Sequence, residues 1–595
     1  MGKTMKKFQS ININDKNLVR ILTVIFCFAY LAFILDSGYC SDDTHISVMK
    51  GILEYRNISI GEFLKERMSI HLALGRFFPV TVIVSWIFPG LLPLKIYKLC
   101  IVLMCIGNLF LLGKLVKKIT NDDFLQYKVM LVTTVLFTLL AQTGHSAFLS
   151  FGMNVQFLLA FSLISFIKYI DYCKGGKRRD CFISLFFWLL GLLTYEVAYM
   201  FIFVFIFIAY YSLPQKEHKI KYMIKYLIPY AIVGLIMFSA YIFIHMMAAE
   251  SYAGASLYVS LASNIKTFIK QLLITLPFVN FIIKGPDSGL TLDIGRIVNN
   301  IEFKDIFLVA LFLLILYVIN RNVKYEQESR YNYRMLFIFG MMIMLFPVCL
   351  VAVSEKYQSI TFGMGYITVY IQYFGLALII VSVLYYILIV VKKKRFLRIL
   401  IKGSGVCIFC IMILLNQQNS RLILDDLNSH PGWTDKWIRT VYEEAASNGI
   451  LDSIDPNTDV IITTYGFFDL HQRGALMMEL TGKRYNVYQT EDKIDVEFEN
   501  EDLYALHYVA TKTTGFVILG NISNGDAVNI DGFTIYIKDF GEDYNAITYY
   551  SDEEIGVLLF EQADEVRETK TGVFYTFNTT EIMKITSIVP ARVNR

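Results

Sequence analysis

The stretch CFISLFFWLLGLLTYEVAYMFIFVFIFIAYY, residues 181–211, contains one charged side chain, Glu196, among 31 residues. Basic clusters flank it on both sides, at 174–179 and 216–225. Because basic flanks mark the cytoplasmic end of a membrane segment, this arrangement predicts that the chain crosses outward and returns. As helix, 31 residues reach about 46 Å at ~1.5 Å each, short of the roughly 60 Å that two crossings require. We therefore expect Glu196 at a turn sunk below the outer surface, facing protein or a water-filled cavity.

The composition indicates a polytopic membrane protein, since 55% of the residues are hydrophobic and 15% are aromatic. Charge is divided along the chain. Residues 421–595 hold 30 acidic and 14 basic side chains, and residues 1–420 hold 21 acidic and 41 basic ones. Most of the basic excess lies in short loops, where positive charge sets membrane orientation, so we expect the lipid bilayer and no nucleic acid as a partner.

Eleven apolar stretches predict about eleven transmembrane helices. They fall at 18–35, 95–113, 128–143, 153–170, 181–194, 197–212, 222–247, 305–320, 334–353, 366–391 and 396–415. Five basic loops share one side if the N-terminus, residues 1–17, is cytoplasmic. The sequence thus predicts a transmembrane domain over 18–415 and a soluble extracytoplasmic domain over 416–595.

Two apolar segments do not fit the count of full spans. Residues 77–93 carry three prolines and a glycine, and counting them as a span would turn the later basic loops outward. Residues 256–283 place Lys266 and Lys270 on one helical face and apolar residues on the other. We expect both to be re-entrant or interfacial helices on the outer face.

The C-terminal domain alternates in pattern. Trp437 to Asn448 has helical spacing, whereas Val460 to Thr464, Phe516 to Leu519 and Phe533 to Ile537 read as strands. We expect an α/β or α+β fold for this domain.

Two aspartates, Asp42 and Asp43, directly follow the first span. Acidic residues favour a helix N-terminus, so they could simply cap the helix that continues toward Tyr55. Their place at the outer end of the first span, with Glu196 beneath the same surface, favours a second interpretation. Acids that converge on a wet cavity suit general-base catalysis on a hydroxyl, or the binding of a metal.

Four short motifs on the predicted outer side together resemble the GT-C superfamily of integral membrane glycosyltransferases, which use polyprenyl-phosphate-linked sugars. The motifs are Ser41–Asp43 after the first span, Gly75–Pro79, Thr194–Glu196 and Ser354–Tyr357. The resemblance covers residues 18–415. It implies a GT-C-like fold with eight to thirteen spans, interfacial helices in the outer loops and a C-terminal extracytoplasmic domain.

The resemblance also implies roles for particular residues. Asp42 or Asp43 would deprotonate or orient the acceptor hydroxyl for attack at the anomeric carbon of the sugar. The lipid phosphate that leaves needs a cationic partner, for which Arg76 and Lys356 are the candidates. Ordinary anchoring at the membrane interface is the alternative for these two cations.

Further substrate-binding candidates are Glu196, Tyr357 and His45. Glu196 could bind sugar hydroxyls or orient a basic partner, and its alternative is a structural ion pair with Lys356 or Arg76. Histidines on this side lack metal-ligand spacing. Some members of the superfamily bind a divalent metal and others do not, so no cofactor is assigned and a metal stays open.

The sequence therefore predicts a bacterial plasma-membrane glycosyltransferase of the hexosyltransferase type. It would transfer a sugar from a polyprenyl-phosphate donor to a cell-envelope glycan or protein on the outer face. No phosphate-binding loop motif for ATP occurs. A transporter or flippase of lipid-linked glycans and a non-catalytic envelope scaffold are the alternatives.

Overall fold

The computed structural model divides the chain into two compact units. The helix unit consists of 1–36, 66–84 and 95–423, and the mixed unit of 37–65, 85–94 and 424–595. The residues described are 13–140, 146–213, 219–248, 254, 256, 260–279, 300–322, 330–359, 368–429, 439, 446, 459–462, 470–484, 486–489, 503–510, 514–522, 527–530, 533–536, 546–548, 565–568, 573–576 and 583–592.

Helices make up most of the described chain. They are α1 (Ile13–Leu31), α2 (Asp42–Ser47), α3 (Met49–Arg56), α4 (Ile60–Ala73), α5 (Pro79–Leu91), α6 (Leu94–Thr120), α7 (Leu125–Leu136), α8 (Asn154–Gly175), α9 (Arg178–Leu192), α10 (Ile202–Ser212), α11 (Lys219–Met246), α12 (Leu261–Ile274), α13 (Phe303–Asn322), α14 (Arg330–Ala352), α15 (Thr368–Val390), α16 (Arg395–Ser429) and α17 (Leu470–Thr481).

Eight of the described helices are long and apolar enough to cross a membrane, namely α1, α6, α8, α11, α13, α14, α15 and α16. They coincide with eight of the predicted spans and show a multi-pass membrane protein. The count of about eleven full spans is not confirmed, because the other three stretches form α7, α9 and α10, which have 12, 15 and 11 residues. At ~1.5 Å per residue each is about 23 Å or shorter, less than the ~30 Å hydrocarbon core.

The reason differs among the three short helices. The α9–α10 pair shares the 31-residue stretch that is too short for two spans, as the sequence predicted. Helix α7 instead ends early, at Leu136, and the chain is extended at Phe137. Backbone carbonyls freed in this way must find partners, since lipid supplies none.

Those partners come from α1 and α16. Five consecutive polar residues of α16, Asn416 to Ser420, are buried. Their amides and a tyrosine hydroxyl bind the freed carbonyls: Asn416 donates to Val135 O at 2.7 Å, Asn419 to Leu139 O at 2.8 Å, and Tyr30 to Phe137 O at 3.0 Å. This polar run interrupts the apolar pattern near residue 415, yet α16 continues to Ser429 because the run is packed inside the protein.

The two segments expected at the membrane interface are short helices. Helix α5 has 13 residues and contains Pro89, so it spans only about 20 Å. Helix α12 has 14 residues and lies within the predicted 256–283 segment, of which 280–283 falls outside the described residues.

The mixed unit contains a seven-stranded sheet of order β2-β1-β3-β4-β10-β9-β8 and a three-stranded sheet of order β5-β6-β7. Strand β1 pairs in parallel with β2 and β3, whereas the other pairs are antiparallel. The strands are β1 (Asp459–Ile462), β2 (Asn486–Gln489), β3 (Leu503–Ala510), β4 (Thr514–Ile522), β5 (Ala527–Ile530), β6 (Phe533–Tyr536), β7 (Ala546–Thr548), β8 (Glu565–Glu568), β9 (Val573–Thr576) and β10 (Met583–Arg592).

The stretch Phe516 to Leu519 lies in β4, and the other two predicted strands overlap β1 and β6, with residues 463, 464 and 537 outside the described residues. The helix predicted over Trp437 to Asn448 lies outside the described residues except for Arg439 and Ala446.

Candidate functional site

The two aspartates open the short helix α2, and their side chains differ in exposure. Asp42 is exposed, whereas Asp43 is fully buried. Ser41 occupies the position before the helix with φ 52°, and its side chain makes no capping hydrogen bond. A positive φ at a residue other than glycine costs about 1–3 kcal/mol and is frequent at functional sites. The two aspartates therefore occupy the first turn of α2, as the capping alternative requires. Capping alone does not explain the strained backbone of Ser41, which precedes them.

Arg439, from the C-terminal part of the chain, contacts the loop that carries these acids. Its Nη2 donates to Ser47 Oγ at 2.8 Å, on the same helix as Asp43. Its Nη1 lies 3.9 Å from Glu479 Oε1, and its guanidinium stacks over the Tyr39 ring at 5.4 Å. Since Arg439 is only 8% exposed, these contacts are largely shielded from water. Within the mixed unit, C-terminal residues thus hold α2 in place.

Helix α17 contacts the same loop. His45 Nδ1 lies 2.6 Å from Gln472 Oε1, so the predicted substrate-binding histidine is hydrogen-bonded to α17. Gly51 of α3 packs so closely on α17 that a Cβ there would overlap the Ala475 carbonyl group. The sequence gives no local signal of this contact between α3 and α17, because the residues that meet are hundreds of positions apart.

Glu196 lies at a break in the helix unit, where α9 has ended at Leu192 and a 3₁₀ turn, Glu196–Phe201, leads into α10. The beginning of α5 satisfies the broken backbone. Val80 N donates to Leu193 O at 3.2 Å, and the Thr81 hydroxyl donates to the Thr194 carbonyl. One main-chain bond and one bond from the Thr81 side chain therefore fix the turn, and the half-buried carboxylate of Glu196 takes part in neither.

Arg76 is the charged neighbour of Glu196. The two opposite charges attract each other, so the helix unit brings together two predicted substrate-binding residues. The Arg76 guanidinium lies 5.6 Å from the centroid of the Phe78 ring, which in turn lies 6.3 Å from the Tyr195 ring. This aromatic support orients a planar cation whose N–H groups suit a phosphate or carboxylate.

Further residues that the sequence did not indicate surround this pair. His245 stacks on Tyr241 with ring centroids 6.2 Å apart, and the Tyr241 hydroxyl interacts electrostatically with both Glu196 and Arg76. Gly75, at φ +72°, leaves room for His245, because a Cβ there would lie 2.8 Å from its Nδ1. Close packing against His245 therefore explains why the first residue of the Gly75–Pro79 motif is a glycine.

His71 lies one turn beyond Arg67 on α4, and its carbonyl accepts from Arg76 N at 2.9 Å. Burial, together with the positive charges of Arg76 and Arg67, lowers the pKa of His71 to about 4. The imidazole is therefore neutral near pH 7, in a region of positive potential. The i, i+4 spacing of Arg67 and His71 was the available sequence signal.

Lys356 and Tyr357 lie on a 3₁₀ turn after α14. Tyr357 is buried, whereas Lys356 is exposed, 5.8 Å from the Tyr357 ring centroid. The turn is bound to residues before α12, since Ser354 Oγ donates to Gly254 O at 2.8 Å and Glu355 N to Ser256 O at 2.9 Å.

The predicted site residues are thus divided between the units. Asp42, Asp43 and His45 belong to the mixed unit, and the helix unit contains Arg76, Glu196, Lys356 and Tyr357. Their convergence on one cavity stays a prediction. Among the described residues, no group of three or more His, Cys, Asp or Glu side chains could hold a metal ion.

No family model and no curated protein matches the chain. Among solved structures, it is similar to ArnT from Cupriavidus metallidurans, whose crystal structure contains undecaprenyl phosphate. The identity is 9% and the TM-score 0.33, over 83% of this chain and 93% of ArnT. At this identity and score, the similarity assigns no role to any residue of this chain.

Proposed function

We propose that the chain is a membrane glycosyltransferase that transfers a hexose-type sugar from a polyprenyl phosphate to an envelope glycan or protein at the outer face. The observation that carries the proposal is that the opposite charges of Arg76 and Glu196 lie close enough to interact, beside a break between two half-length helices. Intramembrane charges are expensive and mark functional sites. Lipid phosphate and sugar are the groups that a cation and a carboxylate would recognise there.

Arg76 is the proposed ligand of the lipid phosphate. A guanidinium presents N–H groups in a fixed fork that can bind two phosphate oxygens at once. As the bond between the anomeric carbon and the phosphate oxygen breaks, negative charge grows on that oxygen, and a fixed cation stabilises it. Glu196 accepts hydrogen bonds from sugar hydroxyls while its charge keeps the guanidinium oriented.

The aspartates supply the base. The acceptor hydroxyl oxygen attacks the anomeric carbon, its proton passes to a carboxylate, and polyprenyl phosphate leaves. A base must come within about 2.6–3.2 Å of that hydroxyl. Asp42 is exposed, so an acceptor hydroxyl can reach it as the loop stands, whereas Asp43 is fully buried. We assign the base to Asp42 and a positioning role to Asp43.

The test uses purified protein in liposomes with undecaprenyl-phosphate hexoses as donors and cell-envelope glycans as acceptors. Asp42→Asn should lower the transfer rate about 10²–10⁴-fold, since this is the usual contribution of a general base. Loss of a helix cap would instead cost only ~1 kcal/mol of stability.

Asp123→Asn is the matched control, because Asp123 pairs with Lys117 at 2.6 Å and no catalytic role is proposed for it. Near-normal transfer by both Asp42→Asn and Asp43→Asn would contradict the catalytic assignment. A flippase or a scaffold predicts instead that the wild type transfers no sugar, since neither catalyses the transfer.

A further inference from the structure

Helix α12 packs with its polar side inward. The polar residues Ser263, Thr267 and Gln271 recur every fourth position, and Thr267 and Gln271 are 2% and 0% exposed. The opposite, apolar side is open, with Leu261, Ile265 and Ile269 at 73%, 51% and 47% exposure. A helix on a soluble protein shows the reverse pattern. The outward apolar side suits lipid, so the inward polar stripe requires its own explanation.

One glutamine explains the first two positions of the stripe. The hydroxyls of Ser263 and Thr267 both donate to Gln358 Oε1, at 2.8 and 3.0 Å. Gln358 Nε2 in turn donates to the carbonyls of Ala352 and Ser354, at 2.8 and 2.9 Å. Gln358 is therefore satisfied through both atoms of its amide and fastens α12 to the end of α14.

Gln271, the third position, has no such partner. Its Oε1 and Nε2 are both buried and have no hydrogen-bond partner in the part of the chain that the structure describes. A buried polar group left unpaired costs about 1–3 kcal/mol, and the great majority of such groups in proteins are paired. A binding partner for Gln271 must offer an acceptor and a donor together.

That requirement selects among ligand classes. A phosphate oxygen would satisfy only the amide N–H groups, and a metal ion only the carbonyl oxygen. Neighbouring hydroxyls of a sugar donate and accept at once, and so match both atoms of a carboxamide. We propose that Gln271 binds the sugar hydroxyls of the lipid-linked donor. This proposal rests on the proposed transferase function, and it assigns sugar recognition to the inward side of α12.

The test compares Gln271→Met with Gln358→Met in the full-length protein. Methionine keeps the length of glutamine and removes its polar atoms. Melting temperature and affinity are measured with undecaprenyl phosphate and with undecaprenyl-phosphate glucose, galactose and mannose. Gln271→Met should melt at or above the wild type, bind the sugar-free lipid normally, and bind the preferred sugar lipid at least tenfold more weakly. Gln358→Met should melt lower and weaken both lipids alike.

The outcomes separate the two proposals. If the wild type prefers a sugar lipid and Gln271→Met keeps that preference, the role of Gln271 is wrong while the transferase function stands. A drop in melting temperature equal to that of Gln358→Met would identify a structural amide and overturn the inference. If the wild type binds none of these lipids, the proposed function fails and the inference fails with it.

Discussion

The loop that carries Asp42 and Asp43 and the turn that carries Glu196 are held in different ways. Side chains hold the loop, through Arg439 to Ser47 across 392 positions and Gln472 to His45 across 427. The carbonyls of the turn itself hold the turn, because Leu193 O accepts from Val80 N and Thr194 O accepts from the Thr81 hydroxyl. Neither bond involves the Glu196 side chain, so both persist when Glu196 is replaced. We therefore expect the turn to keep its structure when Glu196 is replaced, and the loop to depend on individual side chains.

The largest expected effect concerns a place in the helix unit that is held by side chains, as the loop is. Asp305 is fully buried and accepts from Arg421 Nη1 and Nη2 at 2.8 and 2.7 Å, which joins the start of α13 to α16. Removing one partner of a buried pair costs about 3–5 kcal/mol. Asp305→Asn should therefore lower the free energy of unfolding by that amount in a detergent-solubilised melting or denaturant experiment.

Lys117→Gln is its control. The Lys117 side chain is 50% exposed in its pair with Asp123, and exposed pairs contribute about 0–1 kcal/mol. Equal losses in the two variants would show that the buried pair is not a structural bond of the helix unit.

Gly51→Ala should break the loop's docking. The added Cβ would overlap the Ala475 carbonyl, so α3 and α17 must separate. Overpacking of this kind costs about 1–3 kcal/mol. We expect faster proteolysis of the C-terminal residues and a transfer rate reduced at least tenfold. Gly61→Ala is the matched control, since its nearest atom is 4.0 Å away. Unchanged proteolysis in Gly51→Ala would mean that the docking does not hold the loop.

Glu196→Gln should separate function from structure in the turn. The backbone bonds remain, so we expect less than about 1 kcal/mol of lost stability, as for most substitutions without a broken contact. Transfer should fall roughly tenfold, because a charge-assisted hydrogen bond contributes more than a neutral one. A Glu196→Cys variant should react with an impermeant thiol reagent added outside, and more slowly with the lipid donor bound. Normal transfer together with an unreactive cysteine would show a buried structural acid.

The smallest effect concerns pH. Because the pKa of His71 falls from 6.5 to about 4 on folding, the unfolded chain binds a proton between these values and the folded chain does not. This contribution to stability is present above about pH 6.5 and is lost as pH falls toward 4. His71→Gln should remove it, so its melting temperature should drop less than that of the wild type on acidification. Parallel curves would contradict the assignment.

The sequence predicted those features that depend on length and local pattern. The half-length pair α9–α10 followed from 31 residues between two basic clusters. Proline content and helical faces set 77–93 and 256–283 apart from the full spans, and both contain short helices, whereas their place at the membrane interface stays a prediction. Features that depend on distant partners were missed. The early end of helix α7 has no local signal in the sequence. Two of the side chains that bind its freed carbonyls, Asn416 and Asn419, lie about 280 positions later. The contact between Gly51 and Ala475 has no local signal either.

The buried run Asn416 to Ser420 also has a consequence for biosynthesis. Asn419 binds the carbonyl of Leu139, which was translated 280 residues earlier. At about 5–20 residues per second, roughly 14–56 s separate the two during synthesis. Tyr30 of α1, which is synthesised earlier, is already available to Phe137, whereas the carbonyl of Leu139 waits for Asn419. Helix α16, the last membrane helix of the described chain, must be synthesised before this hydrogen bond can form. Its insertion is therefore the step that completes the packing around the end of α7.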